Sequence, residues 1–226
     1  MLPYKVDRIK GIYQKTNNLT HITSQNLEEI NDSLKSASPH EIIAWALARA
    51  KKPLITTNFG PYSASLLHAL VQQAPNVEVL WVDTGYNTPQ TYRFAFNLTE
   101  QLQLNIHTYV PQQSVAYRNI TLGIPSVEDP KHKIFTEQVK LEPFRRAMQI
   151  HQPDVWFTNL RKGQTAHRDS IDVVSINKDG ILKVCPFYNY SDEDIEAYLT
   201  AYSLPNETKY YDPTKQLANR ECGIHL

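Results

Sequence analysis

Apolar positions along the chain switch between two periods, and the switches mark out alternating strands and helices. Val77–Val82 reads VEVLWV, a near-continuous apolar run of the kind found in strands buried on both faces. Pro53–Thr57, Asn105–Val110 and Asp154–Thr158 are further short runs that predict strands. Between them fall helical stretches, from Pro61 to Gln73, from Thr88-Pro89 to Leu102, and from Thr136 to His151. Ile171–Ser175 and Ile181–Val184 flank a turn at Lys178-Asp179-Gly180. Ser191-Asp192-Glu193-Asp194 then caps a helix to Tyr202 through its early acids. Upstream of the first strand, Ser24–Leu34 is amphipathic, and Ser38-Pro39-His40-Glu41 is a capping box opening a helix to Lys51.

Strand–helix alternation predicts an α/β fold, a parallel sheet with helices on both faces. The expected organisation is one structural domain in three parts. These are an N-terminal helical extension over 1–52, an α/β region over 53–205, and a C-terminal tail over 206–226. In such sheets ligands bind beyond the carboxyl ends of the strands, at the switch in strand order. The residues that follow the strands therefore carry the functional reading.

Composition changes this picture only by exclusion. Hydrophobic residues make up 41% of the 226 and charged residues 20%, enough for a sizeable core without metals or disulfides. The apolar runs are too short to cross a bilayer, and the N-terminus lacks a signal-peptide core, so a cytoplasmic location is expected and a membrane is not. Formal net charge is zero, which gives no field for nucleic acid, so an anionic ligand must be met by a local cluster. Two cysteines, Cys185 and Cys222, lie far apart without clustered Cys or His ligands. Neither a metal site nor an iron–sulfur cluster is expected from that spacing.

Four segments carry candidate chemistry. Thr56-Thr57-Asn58-Phe59-Gly60-Pro61-Tyr62-Ser63 joins the first strand to its helix, and its short side chains leave backbone N–H groups to face an anion, or make a mere turn. Asp83, Thr84 and Gly85 end the second strand, where a carboxylate and a hydroxyl read a ribose or adenine edge, or Asp83 caps the next helix. Lys140, Arg161, Lys162 and Arg168 form a basic set suited to phosphate or sulfate oxygens, whereas Arg145 and Arg146 include a solvated helix charge. Last, Arg220-Glu221-Cys222-Gly223-Ile224-His225 places a thiol in a polar tail, where Arg220 and His225 favour the thiolate and Glu221 opposes it. Cys185, in a KVCPF strand context, reads as core.

Together these segments resemble the phosphoadenosine phosphosulfate (PAPS) reductase family. The resemblance rests on TTNFG, VDTGYNTPQTYRF, KLEPFRRA, LRKGQTAHR and the terminal ECGIH, in that order. It implies an adenine nucleotide α-hydrolase-like fold. It also implies reduction of PAPS to sulfite and adenosine 3′,5′-bisphosphate, with thioredoxin or glutaredoxin as reductant and a homodimer as the assembly. By matching position, Thr56, Thr57, Phe59 and Gly60 form the phosphate loop, and Asp83, Thr84 and Gly85 border the nucleoside. Lys140, Arg161 and Arg168 bind the phosphosulfate, and Cys222 is the nucleophile with His225 beside it. Relatives that use adenosine 5′-phosphosulfate carry a cysteine-ligated cluster including an adjacent Cys-Cys pair, which two cysteines cannot build, so PAPS without a cofactor is preferred. The chain departs from the family pattern at Lys162, where a second Arg is usual. It departs again at Tyr210–Lys215, which is shorter than the family's Gly-Tyr-x-Ser-x-Gly-Asp-x-His segment.

Three other functions stay open at this point. An ATP pyrophosphatase of the same fold grips pyrophosphate with SGGxDS, and TTNFGPYS lacks its double glycine and Asp. A divergent relative acting on another sulfonucleotide, or delivering sulfur to a specialised pathway, keeps Cys222 and the pocket. A non-catalytic nucleotide sensor has no need of a tail thiol.

Overall fold

The computed structural model describes residues 22–23, 25–215 and 223–224 of the chain. Two helices come first, α1 (Leu27–Leu34) and α2 (Pro39–Leu47), followed by β1 (Pro53–Thr57), α3 (Ser63–Val71) and β2 (Glu78–Val82). Next are α4 (Pro89–Leu102), β3 (Asn105–Tyr109), α5 (Val115–Thr121) and α6 (Lys131–Thr136). A π-helical turn, Glu137–Leu141, leads into α7 (Glu142–His151) and β4 (Val155–Phe157). The remaining elements are α8 (Ala166–Asp169), β5 (Val174–Ile176), β6 (Leu182–Val184) and α9 (Asp192–Ala201).

The six strands form one sheet in the order β3-β2-β1-β4-β6-β5. Every neighbouring pair is parallel except β5 with β6, so the sheet is mixed rather than wholly parallel. The Asp179-Gly180 turn explains the exception: a short hairpin returns the chain antiparallel, whereas a parallel return needs a long crossover. From β1 the chain steps outward to β2 and β3, then crosses back to place β4 on the other side. The switch in strand order therefore lies between β1 and β4.

Alternation along the strands splits the core in two. Ile55, Val79, Trp81 and Phe157 face the larger apolar layer with α2, α3, α4 and α9. Leu54, Leu80 and Trp156 face the smaller layer, closed by Ala147 and Met148 of α7. Burial on both faces is why β2 reads as a continuous apolar run.

The N-terminal helices share the larger layer, to which they contribute Leu34, Ile42, Ile43, Trp45 and Ala46. The predicted capping box is present: Ser38 Oγ accepts from Glu41 N at 3.3 Å, and Ser38 N donates to Glu41 Oε2 at 2.7 Å. Buried Asn31 lies against β5, its side-chain amide donating to Val174 O at 3.0 Å and its oxygen accepting from Val174 N at 2.9 Å. That exchange covers part of a sheet edge that would otherwise be open to pairing.

Candidate active site

Beyond the carboxyl ends of β1, β2 and β4 lies a cleft of about 750 Å³, a size that suits a nucleotide. Thr56 and Thr57 reach it from β1, Val82 and Thr84 from β2, and Thr158 and Asn159 from the end of β4. It therefore sits at the switch point, where the strand order predicts a ligand.

The β1–α3 connection is a strained, heavily bonded turn. Phe59 (φ 51°) and Tyr62 (φ 64°) both take left-handed backbone conformations, which cost roughly 1–2 kcal/mol each for non-glycine residues. The Phe59 ring is fully buried, edge-on to Trp81 at 5.1 Å and Phe94 at 6.3 Å, and this packing holds the turn. The backbone donors foreseen for an anion are already used. Phe59 N bonds Thr57 Oγ1 at 3.1 Å, Gly60 N bonds Asn58 Oδ1 at 3.0 Å, and Tyr62 N bonds Asn206 Oδ1 at 2.8 Å. Polar side chains two residues back satisfy such turns locally, which is the reason that part of the sequence reading fails. What remains facing the cleft is the N-terminal end of α3, which has no side-chain cap. Ser63 lines the cleft there, and its buried Oγ has no hydrogen-bond partner among the described residues. Thr56 Oγ1 accepts from Trp156 Nε1 at 2.9 Å.

At the end of β2 the predicted residues divide. Thr84 is buried and lines the cleft. Asp83 does not line it: its Oδ1 accepts from Gly85 N at 2.9 Å, Asn87 Nδ2 at 2.8 Å and the Tyr92 hydroxyl at 2.9 Å. Burial and the adjoining Asp83 carboxylate push the Tyr92 hydroxyl up to about 12. Asp83 thus shapes the loop, and Asn87 is the residue it presents to the cleft. Gly85 (φ 82°) also stands behind the wall, where an added Cβ would come within 2.4 Å of Val115 Cγ2.

The basic residues converge as the sequence suggests. Lys140, Arg161, Lys162, Arg168 and Lys215 line the cleft against Asp192, Glu193 and Asp212, an excess of two positive charges in a chain of zero net charge. Their states differ. Arg161 is 3% exposed, pairs with Asp192 at 2.5 Å and stacks 5.0 Å from the Tyr62 ring. Arg168 hydrogen-bonds the Gln164 side chain. Lys162 is exposed, and its ammonium meets no carboxylate among the described residues. Lys140 is buried and ion-paired with Asp212, whose Oδ1 also accepts from the Thr214 hydroxyl at 2.7 Å. Burial alone would raise the Asp212 carboxyl, but the Lys140 charge and the hydrogen bonds from Lys140 and Thr214 outweigh it and hold the group below the ordinary carboxylate range. Arg145 and Arg146 pair with Glu137 and Glu142 and stay outside the cleft.

Cys185 is 1% exposed, 3.2 Å from Thr158 Oγ1, and burial pushes its thiol up. Cys222 and His225 lie outside the described residues, as do Arg220 and Glu221. Gly223 and Ile224 are described. Ile224 lines the cleft and packs in the apolar layer of Phe144 and Met148, and a Cβ on Gly223 would meet Leu141 Cδ2 at 3.5 Å.

Sequence reasoning missed Asn159, Tyr210, Asp212 and Lys215 as cleft residues. Asn159 had a signal, since it directly follows a strand. The Tyr210–Lys215 segment had none, because its docking onto Gly60 and Lys140 is purely tertiary.

The family model described as the phosphoadenosine phosphosulfate reductase domain matches residues 52–212. A phosphoadenosine 5′-phosphosulfate reductase of Xylella fastidiosa (strain 9a5c) is 37% identical, covering 88% of this chain and 94% of the relative. One from Synechococcus sp. is 37% identical over 80% of this chain and 78% of its own. A crystal structure of phosphoadenylyl-sulfate reductase from Candida auris, a phosphate complex, superposes with a TM-score of 0.72 at 24% identity, covering 82% of this chain and 90% of that one. At that identity the likeness speaks for the fold.

Proposed function

The chain belongs to the phosphoadenosine phosphosulfate reductase family, and from that premise we propose that it reduces PAPS to sulfite and adenosine 3′,5′-bisphosphate, using Cys222 as nucleophile. The carrying observation is the seat of Gly223 and Ile224. A Cβ on the residue bonded to Cys222 would stand in van der Waals contact with Leu141, and the next residue, Ile224, lines the cleft where the basic side chains gather.

In the first step the Cys222 thiolate attacks the sulfonate sulfur. The new S–S bond forms as the S–O bond to the 5′-phosphate breaks, and the bisphosphate leaves with that electron pair. In the second step a thiol of thioredoxin or glutaredoxin attacks Cys222 Sγ and expels sulfite. The reductant's second thiol then resolves the mixed disulfide, which leaves the reductant oxidised and Cys222 free. Arg161, Lys162 and Arg168 hold the phosphosulfate and offset charge on the departing phosphate, with Lys140 joining once an anion replaces Asp212. His225 and Arg220 favour the thiolate. Thr56, Thr57 and the Ser63 hydroxyl at the start of α3 receive a phosphate, while Phe59 and Gly60 hold the turn. Thr84 and Asn87 border the nucleoside, positioned by Asp83 and Gly85, and Leu66, Leu80 and Phe144 supply an apolar wall for the base.

No resident cofactor is part of this reading: with Cys185 sealed in the core, the chain cannot supply four thiolates to a cluster. No helix among the described residues is long and apolar enough to cross a membrane. A cytoplasmic location and a homodimer belong to the same proposal.

Sulfite release with PAPS and reduced thioredoxin tests the activity. The expected result is turnover with PAPS and at least about tenfold less with adenosine 5′-phosphosulfate. A reversed preference overturns the substrate assignment, and ATP cleavage without sulfite overturns the reaction.

A further inference from the structure

A second cluster of chemistry-bearing side chains lies at the opposite end of β2 from the cleft. Glu78 begins β2, His107 sits within β3, and His151 closes α7. The parallel register sets Glu78 beside Asn105, so His107 and Tyr109, two and four residues on, share the Glu78 face of the sheet. The helix α7 packs across that face and brings His151 down onto it.

One ligand atom from each of Glu78, His107 and His151 lies within 4.8 Å of the other two. His151 Nδ1 is 2.8 Å from Glu78 Oε2, and His107 Nε2 is 3.9 Å from Glu78 Oε1. Bonds of about 2.0–2.2 Å to a tetrahedral divalent ion place its ligand atoms roughly 3.4 Å apart. The two separations straddle that value, so small side-chain rotations bring all three groups onto one ion.

Three further features favour a cation. His107 Nε2 is shut off from solvent and has no hydrogen-bond partner among the described residues, an unfavourable state for an imidazole nitrogen that coordination would relieve. His151 Nε2 lies 3.1 Å from the Tyr109 hydroxyl, which either donates or accepts. With Nε2–H donating to Tyr109, the lone pair of Nδ1 is free for a metal, the outer partner that metal-bound histidines generally have. His151 also stands at the C-terminal end of α7, where the helix dipole is negative.

We infer that Glu78, His107 and His151 form a binding site for a borderline divalent transition-metal ion of the zinc class, with water in the fourth position. The site joins β2, β3 and α7 and is separate from the proposed sulfonucleotide chemistry, since Val82 and Thr84 serve the cleft at the other end of β2. Sequence spacing could not reveal it, because its ligands come from three separate elements.

The test uses the full chain carrying Cys222→Ser, which removes the tail thiol as a competing ligand. Stripped with chelator, it is titrated with zinc by calorimetry and melted with and without the ion. One equivalent should bind and raise Tm by about 5 °C or more at saturation. Cobalt(II) should give visible bands typical of nitrogen and oxygen ligands. Glu78→Gln and His107→Ala, at half-exposed positions, should each weaken zinc at least tenfold while melting normally in chelator, and His40→Ala should bind zinc as the parent does. Absence of zinc binding in the parent overturns the inference. So does equal affinity in Glu78→Gln and His107→Ala, which would place any bound zinc elsewhere.

Discussion

Arg161 and Lys162 are neighbours in the chain and differ in how they face the cleft. Arg161 is sealed against Tyr62 and committed to Asp192, so much of its charge is spent on holding the loop. Lys162 is exposed to the cleft without a carboxylate partner among the described residues, so an incoming anion meets its full charge. Lys162→Ala should therefore weaken adenosine 3′,5′-bisphosphate about tenfold or more with little change in Tm, measured by calorimetry and melting. The two thiols divide in the same way. Cys222→Ser should lower turnover by roughly a thousandfold or more and leave bisphosphate affinity within a few fold. Cys185→Ser should leave kcat and KM unchanged, because the Cys185 thiol is buried in the core. An inactive Cys185→Ser enzyme would contradict a one-thiol reaction.

At the scale of elements, the π-helical turn decides where Lys140 points. The Pro143 ring crowds the carbonyl of the preceding turn, so a regular α-helix is disfavoured across this stretch. The wider turn at Glu137–Leu141 accommodates that and buries both Val139 and Lys140. Asp212, arriving from the segment after α9, then neutralises Lys140. Removing the carboxylate leaves a buried cation, so Asp212→Asn should cost about 3 kcal/mol near neutral pH. The sign of its pH dependence follows from the lowered carboxyl. The Asp212 contribution is fully present above the unfolded value, about 3.9, and is lost as pH falls through the lower folded value. The stability gap between parent and Asp212→Asn should stay level from pH 5 to pH 8 and close below about pH 4 in denaturant titrations. Bisphosphate should raise the Tm of Asp212→Asn more than that of the parent, because the anion takes the place of the missing carboxylate.

At the scale of the whole molecule, the strands, the main helices and the cleft at their carboxyl ends were legible because each rests on local periodicity and capping. Val77–Val82 announced a strand covered on both faces, and Ser38–Glu41 announced its helix. The antiparallel hairpin of β5 and β6 was legible only as a turn, since pairing direction is set by what the strands meet. A strand-end carboxylate such as Asp83 has the same appearance whether it bonds a guest or its own chain, and its Oδ1 bonds the loop that follows. The docking of Tyr210–Lys215 over Gly60 and Lys140 left no trace in the order of residues at all. What unites the molecule is a basic cleft at the strand switch point, lined by Ile224 two residues after Cys222. Intact-mass measurement of the reduced protein, held with PAPS and no reductant, tests that union most directly. A single sulfonate on Cys222, released by thioredoxin, is the predicted result; an unmodified Cys222 under conditions that saturate the cleft would contradict it.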